Sequence, residues 1–222
     1  MDYKLLGFFS GFPDGFPWDV AGRLREELTE RGSLVMIASE LSKHEKVDRY
    51  AAQWRGWFED IGLPFEDYHT IDDRMEPAQA VRLVEETSCV ILMGGDPAQQ
   101  MRFLRDTGLD EALCKTSAAI LGLSAGAVNM AARSLGIWES RPPRAGLGLA
   151  NITVYPHYDP SDEEALAELL RISETLPICA MEDDSAIFIS GERVSSMGEI
   201  HIIDRGRITP AWQGGLLLYV EG

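Results

Sequence analysis

Four short stretches carry side chains whose types and order could do chemistry together. The first is Gly122-Leu123-Ser124-Ala125-Gly126, where an apolar run gives way to small residues around one serine. G-x-S-x-G between a strand and a helix is the setting of a nucleophile elbow. The sharp turn lifts the hydroxyl out of the sheet, and the flanking glycines prevent clashes. The N–H of the next residue, here Ala125, then points to where an oxyanion would form. A serine in this pattern also caps helices and binds phosphate, so the motif alone leaves both readings open.

The second stretch, Met93-Gly94-Gly95-Asp96-Pro97, follows the apolar run CVILM. Two glycines let backbone approach a ligand closely, and the N–H of Gly95 is the natural second oxyanion donor. Asp96 and Pro97 also suit the N-cap and first position of a helix. Asp96 therefore stands both as a cap and as a candidate substrate contact. No Gly-Lys-Ser/Thr follows, which argues against a nucleotide P-loop.

A serine hydroxyl needs a base to be nucleophilic near neutral pH. The chain has four histidines. His44 begins a helix amid charges, His69 ends a strand in YHTID, and His201 lies in the strand-rich tail. His157, in Val154-Tyr155-Pro156-His157-Tyr158-Asp159, sits between an apolar strand and a loop, where a base belongs. The base in turn needs an orienting carboxylate. Met181-Glu182-Asp183-Asp184-Ser185 ends a strand with three successive acids, and either Asp183 or Glu182 could hold the imidazole. Arg141 and Arg144, in the RPPR stretch, are candidate substrate-binding cations.

Elements that could position these groups are legible in the hydrophobic pattern. Apolar runs at Tyr3–Ser10, Ser33–Ala38, Leu63–His69, Cys89–Met93 and Ala118–Leu123 read as strands. Helical spacing marks Val20–Arg31, His44–Ile61, Pro77–Glu86, the segment after Asp96, Glu111–Thr116, Ala125–Ala132 and Asp162–Ile172. Trp54, Trp57 and Phe58 fall at helical spacing, which favours core packing over a stacking platform. Alternating strand and helix predicts an α/β fold: a mostly parallel sheet with helices on both faces. Residues after Ser134 read as a long irregular connection. The tail reads as short antiparallel strands (ICAM, SAIFIS, RVSSM, HIID, LLLYV) with GER and RGR as hairpin turns. No repeat or linker divides the chain, so one domain over residues 1–222 is expected.

Composition narrows the function classes. The formal net charge of −16, from 20 basic and 36 acidic residues, works against nucleic acid or an anionic membrane as partner. No apolar run reaches the about 18 residues of a membrane span, and the N-terminus lacks the pattern of a signal peptide. Three widely spaced cysteines suit small buried residues in a cytoplasmic protein. Without CxxC, HExxH or a His/Cys cluster at ligand spacing, no metal or other cofactor is expected.

GGDP, GLSAGAVNM, YPHYD and MEDDSAI, in this order and approximate spacing, resemble the S51 serine peptidases, a family that includes aspartyl dipeptidases and cyanophycinases. The resemblance runs over nearly the whole chain. It implies a flavodoxin-like fold related to class I glutamine amidotransferase domains. It also implies Ser124 as nucleophile, His157 as base, Asp183 as third member, and the Gly95 and Ala125 amides as oxyanion hole. Family members typically carry Glu where this chain has Asp183, which keeps Glu182 in contention. Two subgroup features are missing. No Gly-Glu-Thr-Arg-Glu-Gln-Arg follows the histidine, where the chain runs HYDPSDEEALAELLRIS, and ARSLGIWES replaces a Thr-Asn-Asp-Met segment. Both departures argue against N-terminal aspartyl specificity.

The expected activity is therefore hydrolysis of small peptides or related amides through an acyl-enzyme, by a cytoplasmic protein that could form a homodimer. Two rivals remain at the level of sequence. An α/β-hydrolase-type esterase would order its triad Ser124, Asp183, His201. An amidotransferase-like domain that has lost activity would serve as a binding module.

Overall fold

The computed structural model describes residues 4–136 and 141–211, with backbone alone at 136, 141 and 142. Along the first part of the chain lie β1 (Leu5–Phe9), α1 (Trp18–Glu27), β2 (Ser33–Ile37), α2 (His44–Asp60), β3 (Asp67–Ile71) and α3 (Pro77–Glu86). Next come β4 (Cys89–Leu92), α4 (Pro97–Thr107), α5 (Leu109–Lys115), β5 (Ala119–Leu123), α6 (Ala125–Met130), β6 (Arg133–Gly136) and β7 (Arg141–Ala145). The remainder holds β8 (Val154–Pro156), α7 (Glu163–Ser173), β9 (Ile178–Met181), β10 (Ala186–Ser190), β11 (Arg193–Met197), β12 (Ile200–Asp204) and β13 (Arg207–Pro210).

Seven strands form the main sheet in the order β11-β10-β1-β5-β4-β2-β3. The five strands from β1 to β3 in that order run parallel, and β10 joins β1 antiparallel. Counted from β2, strands β2 to β5 lie in the 2-1-3-4 order of a flavodoxin-like sheet, and β1 takes the fifth place. The fold is α/β, as the alternation of elements predicts.

Strand periodicity sorts the apolar residues to two faces. Leu5, Phe9, Leu34, Met36, Ile91 and Leu121 pack with Val20 and Leu24 of α1 and with Val47, Trp54 and Phe58 of α2. Their neighbours Leu6, Phe8, Val35, Ile37, Val90 and Ile120 pack with Val84, Leu104, Leu113 and Val128 of α3 to α6. Each such side chain contributes about 1.5–3 kcal/mol when fully buried. Burial on both faces explains why these strands read as unbroken apolar runs. Helix α6 lies directly on the sheet. A Cβ at Gly122 would sit 2.6 Å from Ala127 N, and one at Gly126 would collide with the carbonyl of Leu92.

A second sheet, β13-β12-β9-β8, carries α7 on one side through Leu169, Ile172, Tyr155, Ile178 and Ile203. Asp162 caps α7, accepting from Ala165 N–H at 2.9 Å. Both expected hairpins exist, β10–β11 at GER and β12–β13 at RGR, but they serve different sheets. The expected LLLYV strand lies outside the described residues.

Three elements differ from expectation. The connection after Ser134 contains a two-stranded sheet, β6–β7. Strand β9 pairs parallel with β8, not only antiparallel with β12. Strand β3 starts four residues later than expected. Pro64 cannot donate to a ladder, and Leu63 and Phe65 are buried as irregular backbone instead. Cys89 and Cys179 are buried as expected, and burial pushes both thiols up, Cys179 to about 12. Cys114 is exposed. Among the described residues no helix is long and apolar enough to cross a membrane.

Candidate active site

Ser124 is the single residue between β5 and α6, with φ 49° and ψ −109°. A non-glycine residue in such a conformation costs about 1–3 kcal/mol and persists only where its surroundings enforce it. Here Ser124 N–H donates to Phe9 O at 2.9 Å, and Val128 N–H donates to Ser124 O at 3.0 Å. The turn is thereby locked to β1 on one side and to the first turn of α6 on the other. This is the elbow that G-x-S-x-G implies.

His157 follows β8 and also has positive φ, 55°. Its N–H donates to Ser10 Oγ at 2.7 Å, and Ser10 Oγ donates to Met181 O at 3.0 Å. One hydroxyl at the end of β1 thus ties the ends of β8 and β9 together. Asp183 leaves β9 two residues later, and Asp184 N–H donates to Gly11 O at 2.7 Å. These ties bring three side chains into line. His157 Nε2 lies 2.8 Å from Ser124 Oγ, and His157 Nδ1 lies 2.7 Å from Asp183 Oδ1. The pair is open to solvent, with side chains 46% and 53% exposed.

Glu182 turns the other way and meets His201 Nε2 at 2.9 Å. The structure therefore joins His157 with Ser124 and Asp183, and His201 with Glu182. Asp184, the third acid, is exposed, and its carboxyl is raised first by partial desolvation and then by the charges of Asp183 and Asp14.

Gly95 has φ +134°, which favours glycine, and Ser39 Oγ donates to the carbonyl of Gly94 beside it. The N–H groups of Gly95 and Ala125 have no acceptor among the described residues. Asp96 caps α4, accepting from Gln99 N–H at 2.9 Å, so its capping role holds.

Two clefts meet at Gly95, Ser124 and His157. The larger, about 520 Å³, is lined by Arg102, Arg105 and Arg144 together with Asp96, Asp106 and Asn129. Buried Asn129 donates from Nδ2 to Pro97 O and Gln100 Oε1, both at 3.0 Å, and its Oδ1 has no partner. The Arg141 side chain lies outside what the structure describes. The smaller cleft, about 380 Å³, is lined by Phe12, Tyr50, Trp54, Trp57 and Lys46. Elsewhere His44, Asp72 and Asp73 bring ligand-type atoms within 4.8 Å of one another. Arg74 engages Asp72 and Asp48, and His44 hydrogen-bonds Asp73, so each of these groups already has a partner within the protein.

Sequence reasoning missed Ser10 and Gly11. The available signal was a serine and glycine at the carboxyl end of the first strand, the edge that also carries Gly95 and Ser124. It also missed Arg102 and Arg105, which sit on α4 at a spacing of three and so share one face.

Comparison with known proteins follows the same lines. The sequence pattern of peptidase family S51 matches residues 23–197. The fold is similar to a peptidase from an acI-B1 actinobacterium, at 16% identity and TM-score 0.76 over 96% of each chain. It is also similar to a candidate peptidase E protein from Listeria monocytogenes EGD-e, at 21% identity and TM-score 0.66, covering 88% of this chain and 98% of that one. No curated protein matches the chain.

Proposed function

The chain belongs to peptidase family S51, and from that premise we propose a serine-type peptidase or amide hydrolase that cleaves small peptides through an acyl-enzyme. Ser124 Oγ attacks the carbonyl carbon while His157 Nε2 takes its proton. Asp183 holds Nδ1–H and so fixes the tautomer that leaves Nε2 free to accept. The Gly95 and Ala125 amides receive the oxyanion, at a worth of about 3 kcal/mol per donor. His157 then gives its proton to the departing amine. Water, activated by the same imidazole, hydrolyses the ester. The observation that carries this reading is the unbroken line from Ser124 Oγ to His157 at 2.8 Å and on to Asp183 at 2.7 Å.

Arg144, beside Arg102 and Arg105 in the larger cleft, suits a carboxylate on the substrate, such as the free end of a short peptide. We take the whole chain as one S51 peptidase-like domain. We assign it to the cytoplasm because its three cysteines are unpaired. The direct test is a fluorophosphonate probe applied to wild type and to Ser124→Ala. Labelling of the wild type alone supports the reading, and equal labelling of both overturns it.

A further inference from the structure

The aromatic cluster of α2 does not serve the core alone. Phe58 is fully buried and Trp54 is 3% exposed, but Trp57 is only partly buried, and both tryptophans line the smaller cleft. With Phe12 and Tyr50 they form a wall that ends at Ser124 and His157.

The wall is set before any ligand arrives. Trp54 and Trp57 meet at a ring separation of 5.2 Å and an angle of 65°. Phe16 backs both, at 5.6 Å and 5.8 Å, and Phe12 packs on Phe16 at 5.7 Å. Tilted and edge-to-face contacts are the preferred packing of aromatic rings. A ligand therefore meets a surface whose ordering cost is already met by the fold.

Charge separates this cleft from its neighbour. Lys46 is the only lysine or arginine in the lining among the described residues. Its ammonium is bound to Glu40, whose carboxyl is held below the usual range by Lys43 and Lys46. That cation is spent inside the protein, whereas the larger cleft presents three arginines. The volume, about 380 Å³, lies near the low end of the roughly 300–1,000 Å³ of small-ligand pockets. It suits one large side chain with its amide.

We propose that the smaller cleft is a specificity subsite that seats an aromatic side chain of the substrate, next to the scissile amide and against Trp57 and Tyr50. The inference rests on the reading of Ser124 as nucleophile, and the test separates the two. Two fluorophosphonate probes are compared, one bearing a phenylethyl group and one a methyl group. The aromatic probe is expected to label Ser124 about tenfold faster. That ratio falls toward one in Trp57→Ala and in Tyr50→Asp. The second variant guards against misfolding of the first, because Tyr50 is exposed. Equal rates in wild type, or a ratio that both variants leave unchanged, overturn the subsite and leave Ser124 as nucleophile. If neither probe labels Ser124, the nucleophile reading fails. The cleft is then tested by tryptophan fluorescence with N-acetyl-phenylalaninamide against N-acetyl-glycinamide. A saturable response to the aromatic amide alone supports the subsite, and its absence overturns it.

Discussion

Gly11 packs so closely on Asp183 that a Cβ at residue 11 would lie 2.5 Å from Asp183 Oδ1, and 2.7 Å from His157 Cε1. The line from serine to carboxylate passes through a space that any side chain would fill. Gly11→Ala is therefore expected to displace the imidazole or the carboxylate. Misplacement of reacting groups by about 1 Å costs on the order of a hundredfold in rate. Both side chains are half exposed and free to move aside, so the melting temperature should change little. Peptide kcat/KM measured beside a thermal melt checks this, and full activity in the variant would show the close packing to be idle.

The second prediction divides two neighbouring acids. Asp183 meets His157, while Glu182 meets His201. Asp183→Asn is expected to lower kcat by about 10⁴-fold, because an amide at that position favours the wrong imidazole tautomer. Glu182→Gln leaves kcat within a few fold. Steady-state kinetics on both variants decides it, and the reverse ranking would transfer the orienting role to Glu182.

The conformation of Ser124 sets function against stability. Glycine adopts positive φ without steric penalty, so Ser124→Gly should abolish probe labelling yet stabilise the fold by about 1 kcal/mol. For a chain of this size that is a rise of about 2–4 °C in melting temperature. Differential scanning calorimetry of the variant reads it directly; a lower melting temperature would mean the elbow is unstrained.

A pH-dependent prediction attaches to Asp184. Its carboxyl, on an exposed residue, is raised in the folded protein by partial desolvation and by the charges of Asp183 and Asp14, so the folded state holds its proton to slightly higher pH than the unfolded chain does. The group's contribution to stability is then fully present below its ordinary pKa and is lost as pH rises through the raised value. Asp184→Asn removes that loss, and asparagine tolerates the local φ of 62°. The variant should melt higher than wild type at pH 7, with the difference vanishing below about pH 4. An equal difference at both pH values would trace the effect to packing.

The parallel strands were legible because burial on both faces leaves an uninterrupted apolar run, and Ser124, His157 and the Glu182/Asp183 pair stood out as candidates because each sits where such a run stops. Less legible was anything that depends on which strands become neighbours. Ser10 matters only once β1 lies beside the ends of β8 and β9, and nothing within GFFSGFP announces that placement. Glu182 and Asp183 are adjacent in sequence yet face different histidines where the chain turns as it leaves β9. Trp57 has the helical spacing of a core residue. Its second role follows from the position of α2 beside the site, which periodicity does not record. The pairing of β6 with β7 was hidden by the prolines and arginines of β7, residues that ordinarily argue for a loop.

The place of β1 has a temporal consequence. It precedes both of its sheet neighbours in the sequence, lying between Ala119–Leu123 on one side and Ala186–Ser190 on the other. Contacts of such long sequence separation slow folding, because loop closure must precede them. Ser10, Gly11, Ser124, His157 and Asp183 likewise come together only after Asp183 has been synthesised. A nascent chain stopped at the end of β9 would lack both Asp183 and the strand that clamps β1. The topology thus leaves the candidate site incomplete until Asp183 and β10 have been synthesised.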